Sequence, residues 1–152
     1  MTSGSHISRR AAASLILGAA AWPVVADAAD KAGLSFAELY ISRGVLGLEF
    51  SDKVKQLDGR PVAIRGFMAP PLKAEASFFV LTREPVALCP FCDSDADWPT
   101  DILVVYLGRE QPFVQSNRTI EVTGTLEVGS KVDSATGFVS RLRLVDARFR
   151  AI

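Results

Sequence analysis

The sequence predicts a small all-β domain, five strands closed into a barrel behind a short N-terminal helical segment, on three observations. From Thr119 to Val128 the residues alternate with a period of two, Ile120, Val122, Leu126 and Val128 on one side and Thr119, Glu121, Thr123, Thr125 and Glu127 on the other. The runs Phe78-Phe79-Val80-Leu81 and Ile102 to Leu107 are short, β-branched or aromatic, and suit strands buried on both faces. Two further alternating segments carry interruptions of the kind that bend strands. Gly66 lies inside Val62 to Met68, and apolar Leu142 and Leu144 change phase to Val145, Ala147 and Phe149, which a strand achieves by inserting an extra residue. Five such strands remove their edges by closing on themselves.

Before the domain comes an export signal. Ser8-Arg9-Arg10 precedes an apolar run from Ala11 to Ala21, and Ala26-Asp27-Ala28 offers the small residues that a signal peptidase requires, so residues 1–28 read as a leader cleaved after Ala28. The arginine pair and Ala-rich core also suit the twin-arginine route, with Ala12 and Ala13 where that route prefers bulky apolar residues. An ordinary secretory signal predicts the same compartment. The apolar run is shorter than the ~20 residues of a membrane span. A soluble periplasmic or secreted protein is the expectation.

Of 152 residues, 17 are Lys or Arg and 17 are Asp or Glu. Loss of Arg9, Arg10 and Asp27 leaves 15 and 16, a net charge near −1. Such a chain has no electrostatic pull toward nucleic acid or an anionic membrane, and its length suits one core. The expected partner is a periplasmic protein or a small ligand.

Residues 29–58 read as a helical and irregular segment and 59–152 as the barrel. Ala29 to Gly33 suits a loose terminus. Ser35 caps a helix from Phe36 to Ser42, Gly44 and Gly47 end its periodicity, and Val45 to Phe50 is extended or irregular. Ser51 or Asp52 caps a further helical turn to Leu57. Asp58-Gly59 turns the chain into the first barrel strand, which Ala69-Pro70-Pro71 stops. The last strand should carry a bulge near Leu144 and Val145.

The run Leu57-Asp58-Gly59-Arg60-Pro61-Val62-Ala63-Ile64-Arg65-Gly66-Phe67-Met68, the loop Cys89-Pro90-Phe91-Cys92 and the run Val122-Thr123-Gly124-Thr125-Leu126-Glu127-Val128-Gly129 together resemble exported bacterial OB-fold proteins of uncharacterised function. The similarity extends over Val54 to Ile152. It implies a five-stranded OB-like Greek-key barrel and brings no catalytic residues with it.

The chemistry-bearing residues gather between Leu88 and Trp98. Cys89 and Cys92 are the only cysteines, and in an oxidising compartment a structural disulfide is the preferred reading. A redox pair is the second, Cys89 attacking and Cys92 resolving, since Cys-Pro-Phe-Cys differs from a glutaredoxin Cys-Pro-Tyr-Cys by one hydroxyl. Asp93, Asp95 and Asp97 argue against it, because neighbouring carboxylates raise a thiol pKa. A metal site is the third, formed by Cys89, Cys92, Asp93, Asp95, Asp97 and Met68. The sole histidine, His6, lies in the leader, so zinc would need carboxylate ligands, while two thiolates with a thioether favour copper(I).

Trp98 is a candidate recognition surface beside this loop, although an aromatic at such a place more often packs inside. Phe78, Phe79 and Tyr106 with Arg141, Arg143, Arg148 and Arg150 could stack and hold single-stranded nucleic acid. Export and charge weigh against that, and the arginines read better as solvated charges. No catalytic constellation can be assembled, and without a histidine in the mature chain general-base chemistry lacks its usual residue. The sequence therefore points to a non-enzymatic periplasmic binding module acting through Cys89 to Trp98, with no resident cofactor. A redox or metal-handling accessory is the alternative.

Overall fold

In a computed structural model, which describes residues 1, 31–44, 47–71, 77–88 and 98–152, strand dominates and helix is confined to two short turns. The elements are β1 (Ala32–Leu34), a 3-10 turn (Phe36–Glu38), β2 (Tyr40–Gly44), β3 (Gly47–Phe50), α1 (Asp52–Leu57), β4 (Pro61–Met68), β5 (Phe78–Thr82), β6 (Ile102–Leu107), β7 (Thr119–Val132) and β8 (Val139–Ala151). Residues 2–28 of the predicted leader and the Cys89 to Asp97 stretch fall outside the described residues.

The N-terminal segment departs from its expectation. Ser35 does begin a helical turn, its backbone N–H and its hydroxyl both donating to Glu38 Oε2 at 2.9 and 2.7 Å. The turn ends at Glu38, however, and the chain enters an antiparallel hairpin of β2 and β3. Tyr40 explains the switch. Its ring stacks on Phe50 at 5.2 Å, a cross-strand aromatic pair that outweighs the weak preference of this segment for helix. The expected loose terminus instead contributes β1, laid parallel to β4 with Leu34 opposite Ile64. The helical turn after Ser51 is present as α1, capped where the Ser51 hydroxyl accepts from Val54 N–H at 3.2 Å.

Five strands carry the core. β4, β5 and β6 pair antiparallel in succession, β6 lies parallel to β8, β8 is antiparallel to β7, and β7 returns to pair with β4. The period-two pattern decides which side chains point inward. Val62, Ile64, Ile120, Val122, Leu126, Leu142 and Leu144 are all essentially inaccessible. β5 is buried along its whole length, as its unbroken apolar run predicts.

Of the two expected strand irregularities, one falls close to its expected place. Thr123 pairs with Arg148 but Thr125 with Val145, so β8 carries one extra residue opposite Gly124. That residue is Asp146, at a left-handed φ of 49°, one position beyond the expected Leu144 and Val145. A Cβ on Gly124 would lie 2.9 Å from Val145 O, so the glycine makes room for the bulged strand. Gly66 works differently from its expectation. The β4–β7 ladder passes through it without a register shift. A Cβ there would stand 2.6 Å from Thr82 O and 3.0 Å from the Phe36 ring, so Gly66 marks a close backbone approach and not a bulge.

The arginines of β8 also need correction as a set of solvated charges. Arg143 is buried. Its Nε donates to Glu127 at 2.7 Å and its Nη1 to Gly129 O at 2.7 Å, which satisfies a charge that would otherwise be costly to desolvate. Arg141 lies over the Phe50 ring at 5.5 Å and donates to Leu48 O, tying β3 to β8. Arg150 pairs with the Glu121 carboxylate, which Arg65 shares, and only Arg148 keeps the plain exposed character expected of all four.

Candidate functional site

The connection from β5 to β6 carries every chemistry-bearing residue of the sequence except Met68. The candidate disulfide, redox or metal residues Cys89, Cys92, Asp93, Asp95 and Asp97 lie outside the described residues. The two ends of the connection are described, and they differ. Leu88 is 82% exposed, whereas Trp98, where the chain returns, is 2% exposed.

Trp98 is therefore a packing residue and presents no recognition surface. Its indole N–H donates to the Tyr40 hydroxyl at 2.6 Å, so a buried donor finds its partner in the N-terminal hairpin. Burial pushes the Tyr40 phenol above its ordinary pKa, against the opposing effect of the Trp98 bond. Tyr40 thus stays neutral at physiological pH. The bond joins β2 to the end of the β5–β6 connection, a contact between residues 58 positions apart.

Beside this contact lies a cleft of about 330 Å³. Phe36, Tyr40 and Leu48 line it from the N-terminal segment, Arg83 and Asp101 from the two ends of the connection. Arg83 N–H donates to Asp101 O at 3.0 Å, holding the mouth of the connection together. A second cleft of about 550 Å³ shares Phe36 and Arg83 and continues toward Arg65 and Glu121. Hydrogen bonds from Arg150 and then Arg65 hold the Glu121 carboxyl below the usual carboxylate range. Lys53 and Ser35 do the same for Glu38 on the same wall. Both carboxylates are thus charged at neutral pH and already occupied by cations. The arrangement offers an apolar wall with one guanidinium and one carboxylate at its edge, which suits holding a ligand.

Met68 is buried at the end of β4, 3% exposed, and packs in the apolar core. Among the described residues no three His, Cys, Asp or Glu side chains converge as metal ligands. Phe78 and Phe79, the candidate stacking platforms, are buried against other rings, Phe78 on Tyr106 and Phe138 and Phe79 edge-on to Phe149. Tyr106 is half-buried and its phenol is pushed up to about 12 by desolvation and by the Asp133 carboxylate. Sequence reasoning missed Phe36, Tyr40, Leu48, Arg83 and Asp101 as neighbours. Pairing of β2 with β3 brings Tyr40 and Leu48 together, and no local pattern in residues 36–48 announced that hairpin.

No family model matches the chain, and no curated protein matches it. It is similar to the crystal structure of a DUF3299 family protein from Pseudomonas aeruginosa, with a TM-score of 0.52 and 14% identity, over 80% of this chain and 96% of that one. At that identity the likeness is one of fold alone. It sets this chain beside a bacterial protein of an uncharacterised family.

Proposed function

We propose that the protein is an exported periplasmic binding module of the OB type, non-enzymatic, holding a small ligand in the cleft at the base of the β5–β6 connection. Cys89 and Cys92, within that connection, form a structural disulfide that pins the loop. The observation that carries the reading is the concave, mainly apolar wall of Phe36, Tyr40 and Leu48 facing Arg83 and Asp101 beside Trp98.

Two features support an OB barrel. The strand order β7-β4-β5-β6 is the Greek-key order in which the fourth strand returns beside the first, and β8 completes the circuit by a parallel step. The pairings are also staggered as a closed barrel demands. They lead from Met68 to Leu81, Leu103, Leu142 and Val128, taking the β6–β8 register one residue back from Val104 and Arg143. Extending the β7–β4 register from Val128 then reaches Asp58, ten positions before the starting Met68. The Val128 N–H to Asp58 Oδ1 bond of 3.0 Å agrees with that extension.

Export is supported by the leader pattern of residues 1–28, and the disulfide by the compartment it implies. Two tests address this reading. Intact mass, thiol counting and metal analysis on protein recovered from the periplasm without chelator or reductant should show a chain beginning at Ala29, lighter by two hydrogens than the dithiol and free of metal. Free thiols with stoichiometric metal would establish metal handling instead. The leader contains Trp22, so the mature chain keeps Trp98 as its sole tryptophan. Its emission should shift on titration with a ligand that fills the cleft, and this response should weaken in Leu48→Asp. An unchanged response in that variant would remove the cleft from the reading.

A further inference from the structure

A separate cleft of about 550 Å³ opens at the other end of β5 and β6, away from Trp98. Its walls are Met68, Phe79 and Phe149, with the 55% exposed Phe113 at the rim. The volume falls within the range of small-molecule sites, which are mostly apolar with a few fixed polar groups.

The rim is built. The segment 108–118 between β6 and β7 contains no helix or strand, yet the Gln111 side chain donates to Phe149 O and accepts from Phe149 N–H, both at 3.0 Å. The amide thus copies a strand neighbour and pins the segment against β8. This fixes Arg109 and Glu110, the two charged residues of the lining, in the chain just before the clamp. Neither has an ion-pair partner among the described residues, whereas Glu38, Glu49, Glu121 and Glu127 all do. A cleft with an apolar floor and one free charge of each sign is complementary to a small molecule with the same three parts.

We infer that this cleft binds a small zwitterion with an apolar side group, the chemistry of a free aromatic or branched amino acid. The carboxylate of the ligand sits on Arg109, its ammonium on Glu110, and its side group on Met68, Phe79 and Phe149 beneath Phe113. This site is independent of the cleft beside Trp98.

Isothermal titration of the mature protein with phenylalanine, N-acetylphenylalanine and phenylalanine amide tests it. Phenylalanine should bind saturably at one site, and each blocked form, lacking one charge, should bind at least tenfold more weakly. Arg109→Gln should lose at least tenfold for phenylalanine and little for the amide. Glu110→Gln should show the reverse pattern against the N-acetyl form. Arg109 and Glu110 are exposed, so the melting temperature should not move. Equal binding of all three compounds, no saturable binding, or loss of binding in Arg83→Gln, which lines the other cleft, would each overturn the assignment.

Discussion

The two ends of the β5–β6 pair are covered by different means. Past Thr82 and before Ile102, the cover is a large side chain: Trp98 is sealed from water and bonded to Tyr40 of the β2–β3 hairpin. Past Leu107 and before Phe78, the cover is a polar clamp, in which one glutamine amide holds an irregular segment to the Phe149 backbone and leaves Phe113 exposed. Burying a large aromatic stabilises strongly and leaves little room. A two-bond clamp fixes the backbone without filling the space beneath it, so the second end keeps a cleft of about 550 Å³ lined by Phe79 and Phe149.

Substitutions should separate the two ends by size of effect. Trp98→Ala removes the largest fully buried side chain and strands the Tyr40 hydroxyl, and should cost about 3–5 kcal/mol in urea unfolding of the mature protein. If it costs no more than a surface change, the contrast between the ends is wrong. Gly66→Ala tests the close approach of β5 and Phe36 to β4. A methyl group 2.6 Å from a backbone oxygen should destabilise by about 1–3 kcal/mol, since backbone and not a flexible side chain must move.

Gln111→Ala should cost about 1–2 kcal/mol and raise amide hydrogen exchange across 108–118 while leaving the Trp98 end protected. Exchange rising equally at both ends would mean that the clamp acts globally. Phe113→Ser, at an exposed rim, should change stability by less than about 0.5 kcal/mol.

High pH offers a further probe. The Tyr106 phenol titrates near 12 in the folded protein and near 10 when unfolded. Between those values the unfolded chain has released a proton that the native chain retains, so stability should be intact below about pH 10 and fall as pH rises toward 12. Tyr106→Phe should flatten that part of the curve, as measured by urea midpoints at pH 9 to 11. An unaltered slope would show that burial of Tyr106 does not govern it.

Legibility followed the range of the interactions concerned. β7 could be read from ten residues because its alternation is local, and β5 from five because its apolar run is short and unbroken. The β8 bulge was visible as a phase change, displaced by one residue because Asp146 takes up the extra position with a left-handed backbone. The β2–β3 hairpin was not legible. Residues 36–42 satisfy a helix start as well as a strand, and the Tyr40–Phe50 stack and the Trp98 bond that decide between them come from distant positions. The burial of Arg143 was hidden for the same reason, because Glu127 and Gly129 reach it only across the β7–β8 register.

By itself the sequence determined the strand-rich class of the fold, the faces of its principal strands and the presence of an irregularity in the last one. Those follow from side-chain periodicity along a single strand. Tertiary structure alone decided that the first residues after the expected leader site extend the sheet, that Trp98 is an anchor and that Gly66 is a contact point. It also brought Arg83, Asp101 and Tyr40 around one opening and Arg109, Glu110 and Phe149 around another. Each of these depends on which strands become neighbours, and that is set by the pairings among β4 to β8 rather than by any one segment.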